Sequence, residues 1–341
     1  MIRISVTIFI LIFAGIGPAG AENPLSGPSS HYLISTVRAR AIAMGGAQTA
    51  VLDGLSSAFY NPAALGLRGT PAGSRFALHL NPVGGYSALS YRDRLSARDD
   101  YRGLDWINLT GLFIKSVTFS SNSITAAIVL SEELTANPQH PRNELLAPDG
   151  ILDWNMTAVT GRARLAAQIS IGAAGYILTT QSASNRREYC FSYGVLIQPA
   201  RALSVGLSYF DCPQDVAGHL FADSRLVDET INIGLSFQPS SLLQFSLDLR
   251  NVAEDTAKLI TRELHLGLEI SPLSLITLRG GFYQREDDGR AVYSAGLGLF
   301  DGPHGKDHFI FRFLTLNYGF RAIDMPKDYY LQHFMSLLFT L

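Results

Sequence analysis

Beyond its leading stretch, Met1 to Gly20, the chain has no apolar run of the roughly 20 residues a spanning helix needs, which excludes a helical membrane protein. Charged residues are also scarce, at 16%, against about 25% in soluble domains. A net charge of −2 gives no basic surface for a nucleic-acid partner. The common catalytic signatures are missing: no G-x-S-x-G, no H-E-x-x-H and no phosphate loop. No enzyme activity, cofactor or metal is therefore expected. Gly296-x-Gly298 with Gly302 has the wrong spacing for a phosphate site and reads as hairpin glycine. His304 and His308 share a loop with no further ligand in view, and read as solvated.

What remains is 47% hydrophobic, with 31 glycines and 14 tyrosines. From Phe76 to Leu341 it falls into short strands alternating large apolar with small or polar residues. In Arg187 to Asp211, Tyr189, Phe191, Tyr193, Val195 and Ile197 share one face, and Cys190, Ser192, Gly194 and Leu196 the other. After a turn at Pro199-Ala200-Arg201, Leu203, Val205, Leu207 and Tyr209 resume the large face. Large residues facing lipid and small ones facing a lumen make a transmembrane strand. A soluble propeller or sandwich would instead charge its outer face. A bilayer admits only helices and closed barrels, because every backbone polar group must be satisfied internally. The fold class predicted is thus all-β, a transmembrane antiparallel β-barrel.

The unit recurs before Pro199, Pro239 and Pro272, and more loosely before Pro303, each proline marking a short turn on the periplasmic side. Longer polar connections, at Asp93–Asp105, Leu134–Asp153, Cys212–Leu226, Gln284–Arg290 and Arg321–Tyr329, are assigned to the outside. At about 19 residues per strand and connection, residues 71–341 hold about fourteen strands, with twelve and sixteen also open because Arg92 to Ser123 carries little pattern. The last strand alternates Met335, Leu337, Phe339 and Leu341 with Phe334, Ser336, Leu338 and Thr340, and its apolar last residue with an aromatic two places back resembles the terminal strands of bacterial outer-membrane barrels. At the other end, Arg3, the apolar Ile4–Ile16 and Ala19-Gly20-Ala21 form a secretory signal over residues 1–21. The apolar run is too short for an uncleaved anchor. The expected location is the outer membrane, with the lipid bilayer as partner.

Residues 22–70 lack strand alternation and are too polar to span a membrane. They either fold back as a plug or pack at the periplasmic mouth. Three stretches here, Arg40–Gly46, Ala47–Asp53 and Ala58–Ala63, resemble the FadL-type transporters of long-chain fatty acids and the related PorV/PorQ barrels. The resemblance implies a hatch inside a fourteen-stranded barrel, with Arg38, Arg40, Gly45, Gly46, Asp53, Asn61, Pro62 and Ala63 as hatch or gating residues. FadL-type members pass fatty acids or aromatic hydrocarbons by diffusion through an opening in the wall. PorV-type members act with secretion-machinery proteins to export and anchor surface proteins. The chain departs from the transporters in its shorter length and modest outer loops.

Parity points a polar set into the lumen: Asp248, Arg250, Glu263, His265, Glu269 and Arg279. With a loop at Asn251–Ile260, Asp248 falls opposite His265 and Arg250 opposite Glu263. The set either grips the hatch, with Arg38 and Arg40 pairing with Glu263 or Glu269, or neutralises itself. If it grips, Glu263→Lys loosens the plug. Leu196, Leu242 and Phe210 are the bulky inward residues expected. Cys190 and Cys212 fall opposite each other across their hairpin, within disulfide reach in an oxidising compartment, unless a one-residue slip leaves two lumen thiols.

Overall fold

The computed structural model describes residues 33–52, 54–66, 75–81, 110, 113–133, 154–180, 187–212, 229–252, 262–273, 275–285, 289–300, 314–325 and 328–340. The signal stretch, Asp53 and the connections at 93–105 and 134–153 lie outside these. A short strand β1 (Leu33–Ser35) and a helix α1 (Ala39–Ala43) come first, followed by 3-10 turns at Leu55–Phe59 and Pro62–Ala64. The next strands are β2 (Arg75–Leu80), β3 (Ile114–Ser120), β4 (Ile124–Glu133), β5 (Trp154–Ala166), β6 (Ile169–Thr180), β7 (Arg187–Ala200) and β8 (Leu203–Asp211). They are followed by β9 (Glu229–Ser240), β10 (Leu243–Arg250), β11 (Glu263–Leu273), β12 (Ile276–Gln284), β13 (Ala291–Leu299), β14 (Leu314–Met325) and β15 (Asp328–Thr340).

Strands β2 to β15 pair in sequence order, each antiparallel to the next, and β15 closes on β2. That is the fourteen-stranded barrel the strand count favours. No helix among the described residues is long and apolar enough to cross a membrane; crossing is left to the strands. The outer face carries Tyr189, Phe191, Tyr193, Leu207, Leu235, Phe245, Leu266 and Tyr293, all well exposed. Such a belt is stable only against hydrocarbon. Closure is short: β15 pairs with β2 only over residues 337–340, while on its other edge it pairs with β14 over residues 328–339. On the edge it offers β2, residues 333–335 are taken by β1, running parallel.

Three details correct the sequence reading. Pro199, Pro239 and Pro272 sit inside the last residues of β7, β9 and β11, where each ladder skips register, and the turns come just after. A register skip is where a missing N–H is tolerated. Leu242 belongs to the β9–β10 turn and is 47% exposed rather than facing the lumen, because strand alternation does not extend into a two-residue turn. The stretch Arg321–Tyr329 is not a long loop: Arg321 pairs with Gln332, and the ladder continues to Met325 and Asp328.

Candidate functional site: the seat of the inner segment

Residues 36–66, apart from Leu52, Gly54 and the undescribed Asp53, are buried. They lie against the inward face of the wall. Only α1 and the two 3-10 turns are regular. Turn bonds such as Gly46 N–H to Ala41, Val51 N–H to Gln48 and Asn61 N–H to Ser57 tie parts of the segment to itself. Other backbone groups, among them Gln48 and Thr49 N–H and the carbonyls of Gly45 and Gly46, find their partners outside it. A buried polar group without a partner costs about 1–3 kcal/mol, so something must satisfy them. The wall's inward polar side chains do.

On β10 and β11 the turn 44–49 is held from three sides. Asp248 Oδ2 accepts from the backbone N–H groups of Gln48 (2.7 Å) and Thr49 (2.8 Å) and from Thr49 Oγ1 (2.8 Å). Arg250 donates to the Gly46 carbonyl and stacks its guanidinium over Tyr60. His265 Nδ1 lies 2.6 Å from the Gly45 carbonyl, its Nε2 lies 3.2 Å from Glu263, and its ring stacks on Tyr283. Gly45 and Gly46 both hold positive φ (63° and 75°), the left-handed region glycine enters without strain, and this turns both carbonyls to the wall. Further round the wall, at β7, Asn61 bridges the carbonyls of Thr49 (2.7 Å) and Val195 (3.1 Å), while its Oδ1 accepts from Ala63 and caps the second 3-10 turn. Ser170 donates to Ala63, Arg162 to Leu65 and Tyr176 to Ala58.

The charges obey the same logic. The registers Asp248↔His265 and Arg250↔Glu263 are those expected. Glu269 sits between Arg40 (2.9 Å) and Arg279 (2.7 Å), and Arg279 also reaches Asn317. The Arg40–Glu269 pair was one of the alternatives from sequence. Arg38 corrects the reading: it pairs with Glu132 on β4, which also takes Thr36 and the Val37 N–H. Sequence missed Glu132 because the β4–β5 register shifts between Val129 and Glu132, which reverses the inward parity. Glu269→Lys rather than Glu263→Lys is therefore the stronger disruption. It places a third cation between two arginines, and breaking a buried pair costs about 3–5 kcal/mol. Small-solute leakage through purified Glu269→Lys in vesicles is expected to exceed that of Glu269→Gln.

The two cysteines are a further correction. The β7–β8 register is as expected, with Phe191 opposite Asp211. Yet both Cys190 and Cys212 are buried thiols rather than a disulfide. Cys212 lies one residue past the end of β8, so no ladder bond fixes it against Cys190.

Along the axis the lumen changes character. Toward the long-connection end, the wall presents Val129, Met156, Ala158, Tyr176 and Phe210, packed on Val37, Leu55, Phe59 and Tyr60 of the segment. A second apolar cluster joins Ile42 of α1 to Tyr283, Val292, Ile323 and Phe334. Toward the short-turn end the wall is hydroxyl and amide, paired within itself: Ser120 with Thr125, Gln244 with Ser236, and Ser271 with Thr277, each at 3.0 Å. No group of three His, Cys, Asp or Glu suited to a metal occurs among the described residues.

No family model and no curated protein matches the chain. Among solved structures it is similar to the CymD monoaromatic hydrocarbon channel, at 11% identity and TM-score 0.47, over 90% of this chain and 96% of that one. It is also similar to the Pseudomonas putida toluene transporter TodX, at 10% identity and TM-score 0.48, over 91% and 97%. Mutants of the Rh. blastica porin are more distant, at TM-score 0.36 over 67% and 78%.

Proposed function

We propose that this protein lets small hydrophobic, fatty-acid-like molecules pass the outer membrane by diffusion, with no cofactor and no energy source, and that the inner segment is the hatch that closes the route. The observation carrying this reading is the apolar half of the lumen. Phe59, Leu55 and Val37 fill a wall of Met156, Tyr176 and Phe210. When the segment shifts, the surface left behind prefers an apolar occupant over water, by about 25 cal/mol per Å² covered. The hatch residues Arg38, Arg40, Gly45, Gly46, Asn61, Pro62 and Ala63 belong to the seat; Asp53 lies outside the described residues.

A PorV-like role in secretion or surface anchoring is the second reading. Its support is the small, hydroxyl-lined half at the short-turn end, which offers an apolar solute nothing. Native extraction in mild detergent, with mass spectrometry of the lipophilic and protein material that co-purifies, separates the two. Fatty acids or hydrocarbons enriched over an unrelated barrel support passage. A stoichiometric protein partner without enriched lipophile overturns it in favour of the second reading.

A further inference from the structure

The contacts of His265 carry a proton count. Its Nδ1 faces the carbonyl oxygen of Gly45 at 2.6 Å, and its Nε2 faces Glu263 Oε2 at 3.2 Å. A carbonyl oxygen only accepts, and an ionised carboxylate only accepts. A neutral imidazole has one N–H, so with an ionised Glu263 one of these contacts would set two lone pairs against each other. Both contacts are bonds only if the pair holds one more proton, either on the imidazole or on the carboxyl. We infer that His265 and Glu263 together form a buried proton-binding site, and that the proton held there latches the inner segment to the wall through the Gly45 carbonyl.

The surroundings place this proton at the segment's tightest turn. On β10, Asp248 lies across the ladder from His265 and Arg250 across from Glu263. On β12, Tyr283 stacks on the imidazole with ring centroids 4.2 Å apart. From the segment come the Gly45 carbonyl, the Gly46 carbonyl held by Arg250, and Tyr60 beneath that guanidinium. The cluster of Arg40, Glu269 and Arg279 is separate, centred two inward positions further along β11. His265 and Glu263 are both essentially buried, so the proton is lost only with rearrangement of the contact. The seated state binds one proton more than the neutral-histidine, ionised-carboxylate pair. When that proton leaves, the single remaining N–H goes to the ionised carboxylate, the stronger acceptor, so raising pH withdraws the Gly45 bond and loosens the seat.

This inference does not depend on what crosses the barrel. The test uses full-length protein in neutral detergent with Ala47→Cys, at a position that is fully buried, and with Cys190 and Cys212 replaced by alanine. Labelling by a small methanethiosulfonate is followed from about pH 5 to about pH 9, which brackets the span over which histidine changes charge, and normalised to the unfolded chain. Labelling is expected to rise by about tenfold or more, the size of one charge-assisted hydrogen bond. In Glu263→Gln the rise should vanish, because a neutral histidine can donate to Gly45 while the glutamine amide donates to its other nitrogen. Histidine ring-nitrogen NMR, with His265 assigned by its loss in His265→Gln, gives an independent reading. It should show no unprotonated, unbonded ring nitrogen at the lower pH. A rise of the same size in both proteins, or an ordinary neutral histidine whose ring does not change while labelling does, would overturn the latch.

Discussion

Gly281→Leu is expected to expel the inner segment, while Gly280→Leu, one residue away, leaves it seated. The difference comes from which side of the wall each residue faces. A Cβ on Gly281 would stand 2.0 Å from the Gly45 backbone nitrogen, where neither backbone can yield. A Cβ on Gly280 meets nothing within 4 Å. Overpacking an adaptable core costs about 1–3 kcal/mol; here backbone meets backbone, so the cost lies at or above that range. The same close approach recurs at Gly172 against Pro62 and at Gly206 against Thr49. Swelling of vesicles in a small sugar reads the result. Gly281→Leu should make the barrel leaky and Gly280→Leu should match wild type. Equal behaviour of the two variants would mean that the segment is not seated on this stretch of wall.

Asp248→Ala should have the next largest effect. It deletes the acceptor of three hydrogen bonds and leaves the Gln48 and Thr49 donors buried. At about 1–3 kcal/mol for each donor left unsatisfied, the loss is several kcal/mol from the seat and little from the barrel, whose ladders are untouched. The variant is therefore expected to keep the heat-modifiable gel mobility of a folded barrel while its resting ion conductance in planar bilayers rises at least tenfold. Asp248→Asn keeps an acceptor oxygen and should fall between. Unfolding of the barrel along with the leak would show that Asp248 serves the wall instead.

Much of this arrangement could be read from sequence because a β-barrel repeats one rule. Alternation from Tyr189 to Ile197 placed lipid and lumen faces. The loop after Arg250 fixed Asp248 opposite His265, since a hairpin's register follows from its turn. The limits have the same origin. Wherever a bulge intervenes, parity reverses, and Glu132 was hidden for that reason. Leu242 was misplaced because a turn has no faces. The Cys190–Cys212 pairing assumed that the ladder reaches one residue further than it does. What alternation could not convey is the purpose of the inward charges. The set was visible as Asp248, Arg250, Glu263, His265, Glu269 and Arg279, but Asp248, Arg250 and His265 bond to the segment's backbone, and backbone groups leave no mark in a sequence.

The most direct test joins the segment to the wall by a removable bond. Ala50 and Leu196 pack together in one buried cluster. Cysteines at these two positions, with Cys190 and Cys212 changed to alanine, can be oxidised to a tether in protein reconstituted into liposomes. Influx of a small fluorescent aromatic hydrocarbon and of a sugar is then followed with and without reductant. The reduced protein is expected to pass the hydrocarbon and exclude the sugar, the tether to stop the hydrocarbon, and reductant to restore it. Hydrocarbon influx that ignores the tether, or a sugar that enters as readily as the hydrocarbon, would contradict a hatch-closed route for apolar molecules.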